Sequence, residues 1–317
     1  MREAPARIYF LLACLLLSAC ARNGTATQPG TGLNPNASQL TQSQPQQRLR
    51  YEVLDAKGEP IVGTHIMLTR DRATRHAMTP NAASPLNVIY HAGAVENAPK
   101  IYLVFWGFRS DPSKEAPRLT DFLKVVGGSA WLHTVWQYYS HAGGYIKNGP
   151  GELVGTWSDM SAVPTTPTFV EIQAEAVRAA TRYGDFTSDV TYYIATPTGH
   201  DTPGFGTDFC AYHDSVTMSK GRVAYAVLPY ITDAGAACGA YSVNFTSIGL
   251  LDGVSIVGGH ELAESQTDPF PMTGWFDSED EEIADKCAWT NLKNNEFATG
   301  TYPTQPLWNN GTASCIQ

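Results

Sequence analysis

One histidine and a dense run of carboxylates share the stretch 251–289, LDGVSIVGGHELAESQTDPFPMTGWFDSEDEEIADKCAW. The histidine is His260. Glu261 and Glu264 follow within about one helical turn, and Asp268, Glu281, Glu282 and Asp285 lie downstream. Apolar residues at Leu251, Val254, Ile256, Val257 and Leu262 recur at roughly helical spacing, so 251–265 reads as a helix that Asp268-Pro269 would stop. On that helix His260 and Glu264 are four apart and project from one face. Two ligands so placed can hold a zinc ion, and a Glu beside the first can act as general base on a water. Zinc accepts carboxylate oxygen, so the pair His260 and Glu264 is a candidate metal site, with Glu261 as the candidate catalytic residue.

Features around the pair point the same way. Gly258 and Gly259 interrupt the helical pattern, where each costs roughly 1 kcal/mol against Ala, and small residues there admit a close neighbour. Carboxylates on an apolar helix are expensive unless paired or metal-bound. A second acidic cluster, EEIAD, follows at 281–285. The HELAE sequence resembles the zincin motif, with Glu264 in the place of its second histidine. In gluzincins a Glu from a following helix is the third ligand, and an Asp one turn on orients a zinc-bound histidine. The resemblance implies those roles for Glu282, or its neighbour Glu281, and for Asp285. Asp268 is a further carboxylate within reach. The alternative is a non-catalytic protein that keeps the acidic cluster for structure or for calcium, which takes six to eight oxygen ligands.

Two more histidines compete for a part in the site. His200 follows VTYYIATPTG, and His213 lies in FCAYHD beside Cys210; both fall in what reads as a Gly-rich loop, and such loops often line sites. His213 is the better candidate for an auxiliary ligand or a transition-state donor. His65, His76, His91, His133 and His141 have no usable carboxylate spacing.

The elements that must position these residues come from periodicity. IYLVFWG, 101–107, is a continuous apolar run and reads as a buried central strand. An amphipathic helix spans 119–139, with a break at Gly127-Gly128. A strand over 152–157, a helix over 169–183, and strands over 190–195 and 223–230 follow before the helix of His260. This alternation predicts an α/β (α+β) fold, a mixed β-sheet backed by helices. The site helix beneath such a sheet resembles the catalytic subdomain of zincins. Residues 270–317 have little periodicity and are expected to wrap the site.

The N-terminus reads as processing signal rather than structure. Arg2 and Arg7 precede a short apolar core ending in LSAC, too short to span a bilayer. LSAC resembles a bacterial lipobox, which implies cleavage of 1–19 and lipidation of Cys20. Ala21 after that cysteine implies the outer membrane. Cleavage removes two Arg and one Glu and takes the formal net charge from -9 to -10. An acidic chain without a basic cluster excludes a nucleic-acid partner. Residues 20–48, rich in Asn, Gln, Ser, Thr, Gly and Pro, read as a flexible tether. An N-terminal extension at 49–86 reads as a β-hairpin, YEVLD and IVGTHIML around AKGEP, with the α/β domain at 87–317. Four cysteines remain in the exported chain, and loop closure favours Cys210–Cys238 and Cys287–Cys315 among the three pairings open to them.

NVIYHAGAVENAPKIYLVFWG and GGHELAESQTDP, with GWFD and EIADKC, also resemble the EXORDIUM or phosphate-induced-protein family. That resemblance implies a secreted or cell-surface protein and brings no settled catalytic activity. The expectation from the residues themselves is a lipid-anchored, extracytoplasmic zinc hydrolase acting on peptide or on a cell-surface polymer.

Overall fold

The apolar runs that alternate with amphipathic stretches assemble into one six-stranded sheet between two helical layers. The computed structural model describes residues 65–77 and 86–317. Its main elements are β1 (His65–Leu68), α1 (Arg70–Ala77), β2 (Lys100–Trp106), α2 (Glu115–Val126), β3 (Leu153–Asp159), α3 (Phe169–Tyr183), β4 (Val190–Ala195), β5 (Phe209–Met218), β6 (Gly221–Leu228) and α4 (Asp252–Thr267). The strand order is β1-β5-β6-β4-β2-β3. The strands β3, β2, β4 and β6 run parallel, and β5 and β1 add an antiparallel margin. This is the mixed sheet backed by helices that the alternation predicts.

Strand pleating assigns the faces. Leu103 and Phe105 of β2 join one core with Leu119, Phe122, Val254 and Val257. Val104 and Trp106, which point the other way, join a second core with Ile172, Ala176 and Ala179 of α3. The sheet therefore carries α2 and α4 on one face and α3 on the other. Its central strands are apolar on both sides for that reason.

Local signals set several boundaries. Thr168 caps α3 through a capping box with Glu171, and Gly184 ends it at φ 73°, so the helix spans the predicted 169–183. The expected helix over 119–139 is two pieces. The α-helix stops at Gly127, which takes an extended conformation, and a short 3₁₀ helix follows at Leu132–Gln137.

Three parts differ from expectation. FCAYHDSVTM is a strand, β5, not a continuation of the preceding loop. Helices cover both of its faces over Phe209–Asp214, so it shows no alternation to read. His65–Leu68 does not stand apart from the α/β domain but pairs antiparallel with β5 in the main sheet, and a short helix, α1, follows it. The first strand and turn of the expected hairpin, with the signal, the tether and Cys20, lie outside the described residues. The C-terminal part holds two short hairpins, Lys293–Phe297 with Gly300–Thr304 and Leu307–Asn309 with Ser314–Ile316. The expected disulfides Cys210–Cys238 and Cys287–Cys315 are both present.

Candidate metal centre

The site is organised by α4, all sixteen of whose residues are buried. A helix enclosed on every side must satisfy each polar side chain from within the protein. Asp252 accepts the backbone N–H groups of Val243 and Asn244, Ser255 donates to the Pro303 carbonyl, and Gln266 donates to Glu152. The two glycines give the helix its seat. A Cβ on Gly259 would stand 2.9 Å from the Trp131 ring, and one on Gly258 3.2 Å from Leu228. The close neighbours they admit are apolar side chains of the core, not a ligand.

His260, Glu261 and Glu264 project from α4 toward the antiparallel margin of the sheet. There they meet His213 on β5 and His65 on β1. These two histidines are directly opposite across the strand pair, so they share a face, with ring centroids 5.7 Å apart. Ala226, the other neighbour of His213, belongs to the core that contains α4. Glu282 closes the cluster from the loop before the short 3₁₀ turn Asp285–Cys287, and Asp285 from the first residue of that turn. That turn is tied to the C-terminal hairpin through Cys287–Cys315.

The tightest convergence is at His260. Its Nε2 lies 3.1 Å from Glu264 Oε2 and 3.4 Å from Asp285 Oδ1, and the donor atoms of the three residues fall within 4.8 Å of one another. His213, Glu261 and Glu264 form a second such group. Glu264 belongs to both, and its other oxygen accepts the backbone N–H of Asp285 at 2.9 Å. Behind His260, Nδ1 faces Gln305 Oε1 at 3.4 Å, and Gln305 is itself fixed by donating to the Ala284 carbonyl. A partner of that kind orients a ligating imidazole.

Burial and facing charges act against each other at several of these groups. Burial alone would depress His213 and His260, but facing carboxylates outweigh it and push both well up: Glu282 and Glu261 for His213, Glu264 and Asp285 for His260. His65, opposed by burial and favoured by Glu282 and Asp285, rises to about 9. Burial raises Glu282 and Glu261 against the pull of the histidines. At Asp285 burial is overcome by His260 and His65, and its carboxyl is held far below the usual range.

The residues singled out by sequence divide as follows. His260, Glu261, Glu264, Glu282, Asp285 and His213 meet in the cluster. Asp285, not Glu282, completes the His260–Glu264 group, while Glu282 faces His213 Nε2 at 3.3 Å and His65 Nδ1 at 3.5 Å. Asp268 ends α4 and accepts from the N–H groups of Thr273 and Gly274 with its back against Glu282. Glu281 accepts the Asp277 backbone N–H at its carbonyl and donates its own N–H to Asp277 Oδ1 in a turn. His200 lines a separate surface cavity with Gly107, Arg109, Ser110 and Ser161, beyond the ends of β2 and β3. His65 was missed. No carboxylate stands within five residues of it in sequence, and only the pairing of β1 with β5 brings it to the site.

No protein-family model, curated protein or solved structure matches this chain. The reading of the cluster therefore stands on its own chemistry.

Proposed function

We propose that this protein is a lipid-anchored, extracytoplasmic metal-dependent hydrolase, a zinc peptidase. The observation that carries the reading is the convergence of His260 Nε2, Glu264 Oε2 and Asp285 Oδ1 within 4.8 Å of one another, with buried Glu261 beside them. One imidazole and two carboxylates suit zinc, and Gln305 supplies the orienting contact that a ligating histidine needs. Zinc bound there supplies Lewis acidity to a scissile carbonyl and to a water. Glu261 stands apart from those three ligands. Its Oε2 lies 3.4 Å from His213 Nδ1, and its Oε1 has no hydrogen-bond partner among the described residues. That oxygen takes a proton from water and returns it to the leaving amine, while His213 holds the carboxylate in place. Substrate approaches where the enclosure thins, since the Asp285 and His65 side chains are 21% and 10% exposed.

Two disulfides support a location outside the cytoplasm. The LSAC sequence supports attachment through lipid on Cys20, and the EXORDIUM-like segments support a cell-surface role. No helix among the described residues is long and apolar enough to cross a membrane.

A second reading, a non-catalytic surface lipoprotein with a structural ion, is favoured by one observation. His260, Glu261, Glu264 and Glu282 are all buried, and structural metal sites are closed whereas catalytic ones keep a position open. Zinc content and hydrolysis of a peptide library, for wild type, Glu261→Gln and His260→Ala, separate the readings. The hydrolase reading expects Glu261→Gln to keep zinc and to lose about 10²-fold or more in turnover. It expects His260→Ala to lose zinc. Zinc without hydrolysis in the wild type would favour the structural ion, and a wild type without zinc would overturn the hydrolase reading.

A further inference from the structure

We infer that a second divalent cation binds beside the first, held by His65 Nδ1, His213 Nε2 and Glu282, with Asp285 bridging the two ions. The inference rests on the metal site just proposed and extends it. Asp285 is the geometric reason to look for a second position. Its Oδ1 faces His260 Nε2 at 3.4 Å, and its Oδ2 faces a different histidine, His65 Nδ1, at 3.9 Å. Each oxygen of one carboxylate thus addresses a separate cluster of donors.

On the far side of Asp285, Glu282 Oε2 lies 3.3 Å from His213 Nε2 and 3.5 Å from His65 Nδ1. These contacts are close but misaligned for hydrogen bonds. His213 Nε2 and both oxygens of Glu282 have no hydrogen-bond partner among the described residues, although Glu282 is wholly buried and His213 nearly so. Burying a carboxylate costs several kcal/mol or more unless something neutralises it; the two facing imidazoles do so only when protonated, whereas a cation between them neutralises Glu282 directly. Two imidazole nitrogens that face one carboxylate oxygen without a well-aligned hydrogen bond leave a place for an ion between them.

The outer contacts fix the histidines for that role. His65 turns Nε2 outward to Met272 Sδ at 3.0 Å, which leaves Nδ1 facing inward. His213 turns Nδ1 to Glu261, the carboxylate–histidine contact that aims the opposite nitrogen at a metal. Charge makes the same demand. Glu261, Glu264 and Glu282 are buried, Asp285 joins them with its side chain 21% exposed, and Asp268 adds a fifth carboxylate behind Glu282. One divalent ion balances two of them. Two imidazoles and two carboxylates favour zinc or another nitrogen-binding divalent metal over calcium, which takes oxygen. Paired ions about 3.5–4 Å apart, sharing a carboxylate, clamp both the attacking and the leaving atoms of a hydrolysis.

The test is zinc stoichiometry on the full-length chain purified in detergent, loaded with excess zinc, desalted and analysed by mass spectrometry of the metal. The expected result is two zinc ions per wild-type chain and one in Glu282→Gln. His65→Ala is also expected to hold one, and because His65 sits on the margin strand this variant keeps the test decisive if Glu282→Gln does not fold. One zinc in the wild type would overturn the second ion and leave the proposed function standing. None would overturn that function, and the second ion with it. Two in the wild type and in both variants would place the second ion elsewhere and overturn the assignment.

Discussion

Replacing Glu264 with Gln is the most demanding perturbation of the proposed site, because one carboxylate serves several partners. Oε2 faces His260 Nε2 at 3.1 Å and His213 Nδ1 at 3.7 Å, while Oε1 accepts the Asp285 N–H at 2.9 Å. Gln keeps the shape, and its carbonyl can still accept from Asp285, but its NH₂ cannot ligate a cation. Losing a contact that merely orients a ligand costs 10–100-fold in metal affinity, so losing a ligand costs about 100-fold at least. Linkage converts this into stability. At free zinc a thousandfold above Kd, binding adds about 4.1 kcal/mol to the wild type. At the same zinc concentration the variant stands only about tenfold above its weaker Kd, and the gain falls to about 1.4 kcal/mol. For a domain of this size these gains correspond to rises in Tm of roughly 8–16 °C and 3–6 °C. The assay is thermal unfolding of each protein with and without buffered zinc, repeated with calcium. Comparing each protein with its own metal-free form removes the intrinsic effect of the substitution. An equal zinc-induced rise in both proteins would refute the placement of Glu264 as a ligand. A rise with calcium and none with zinc would refute the reading of the donor set.

Other outcomes follow from single features. Cys20→Ser should prevent lipid attachment and shift the protein out of the membrane fraction; unchanged fractionation would remove the lipobox reading. Reduction or double Ser substitution of Cys287–Cys315, which closes a separation of 28 residues, should cost about 3–4 kcal/mol by chain entropy. It should also lower zinc affinity, because the bridge anchors the turn that carries Asp285; denaturant titration and zinc binding check the two effects separately. Gly259→Ala gains about 1 kcal/mol of helix propensity but puts a Cβ 2.9 Å from the Trp131 ring, and overpacking of that kind costs about 1–3 kcal/mol. The expected net change is a lower midpoint in urea; a higher one would mean that Trp131 yields without strain.

Strong local signals in the sequence determined the helix of His260, the capped helix 169–183, the strand 190–195 and the class of fold. Each follows from periodicity or from capping within a few residues. The i, i+4 placement of His260 and Glu264 is equally local, and so is the adjacency of Glu261. Both disulfides were legible because they close short loops. Tertiary structure alone decided which carboxylate joins His260. Glu282 and Asp285 are three apart in EEIAD, and the path of the chain after α4, tied back by Cys287–Cys315 and by the Asp285 N–H to Glu264, brings Asp285 to His260 and turns Glu282 toward the strands. Strand β5 stayed hidden because burial on both faces erases alternation. His65 stayed hidden because its partners come from pairing across a separation of 148 residues, His65 with His213. No local pattern encodes such a pairing; it forms only when the assembled sheet has an open margin for the strand to cover.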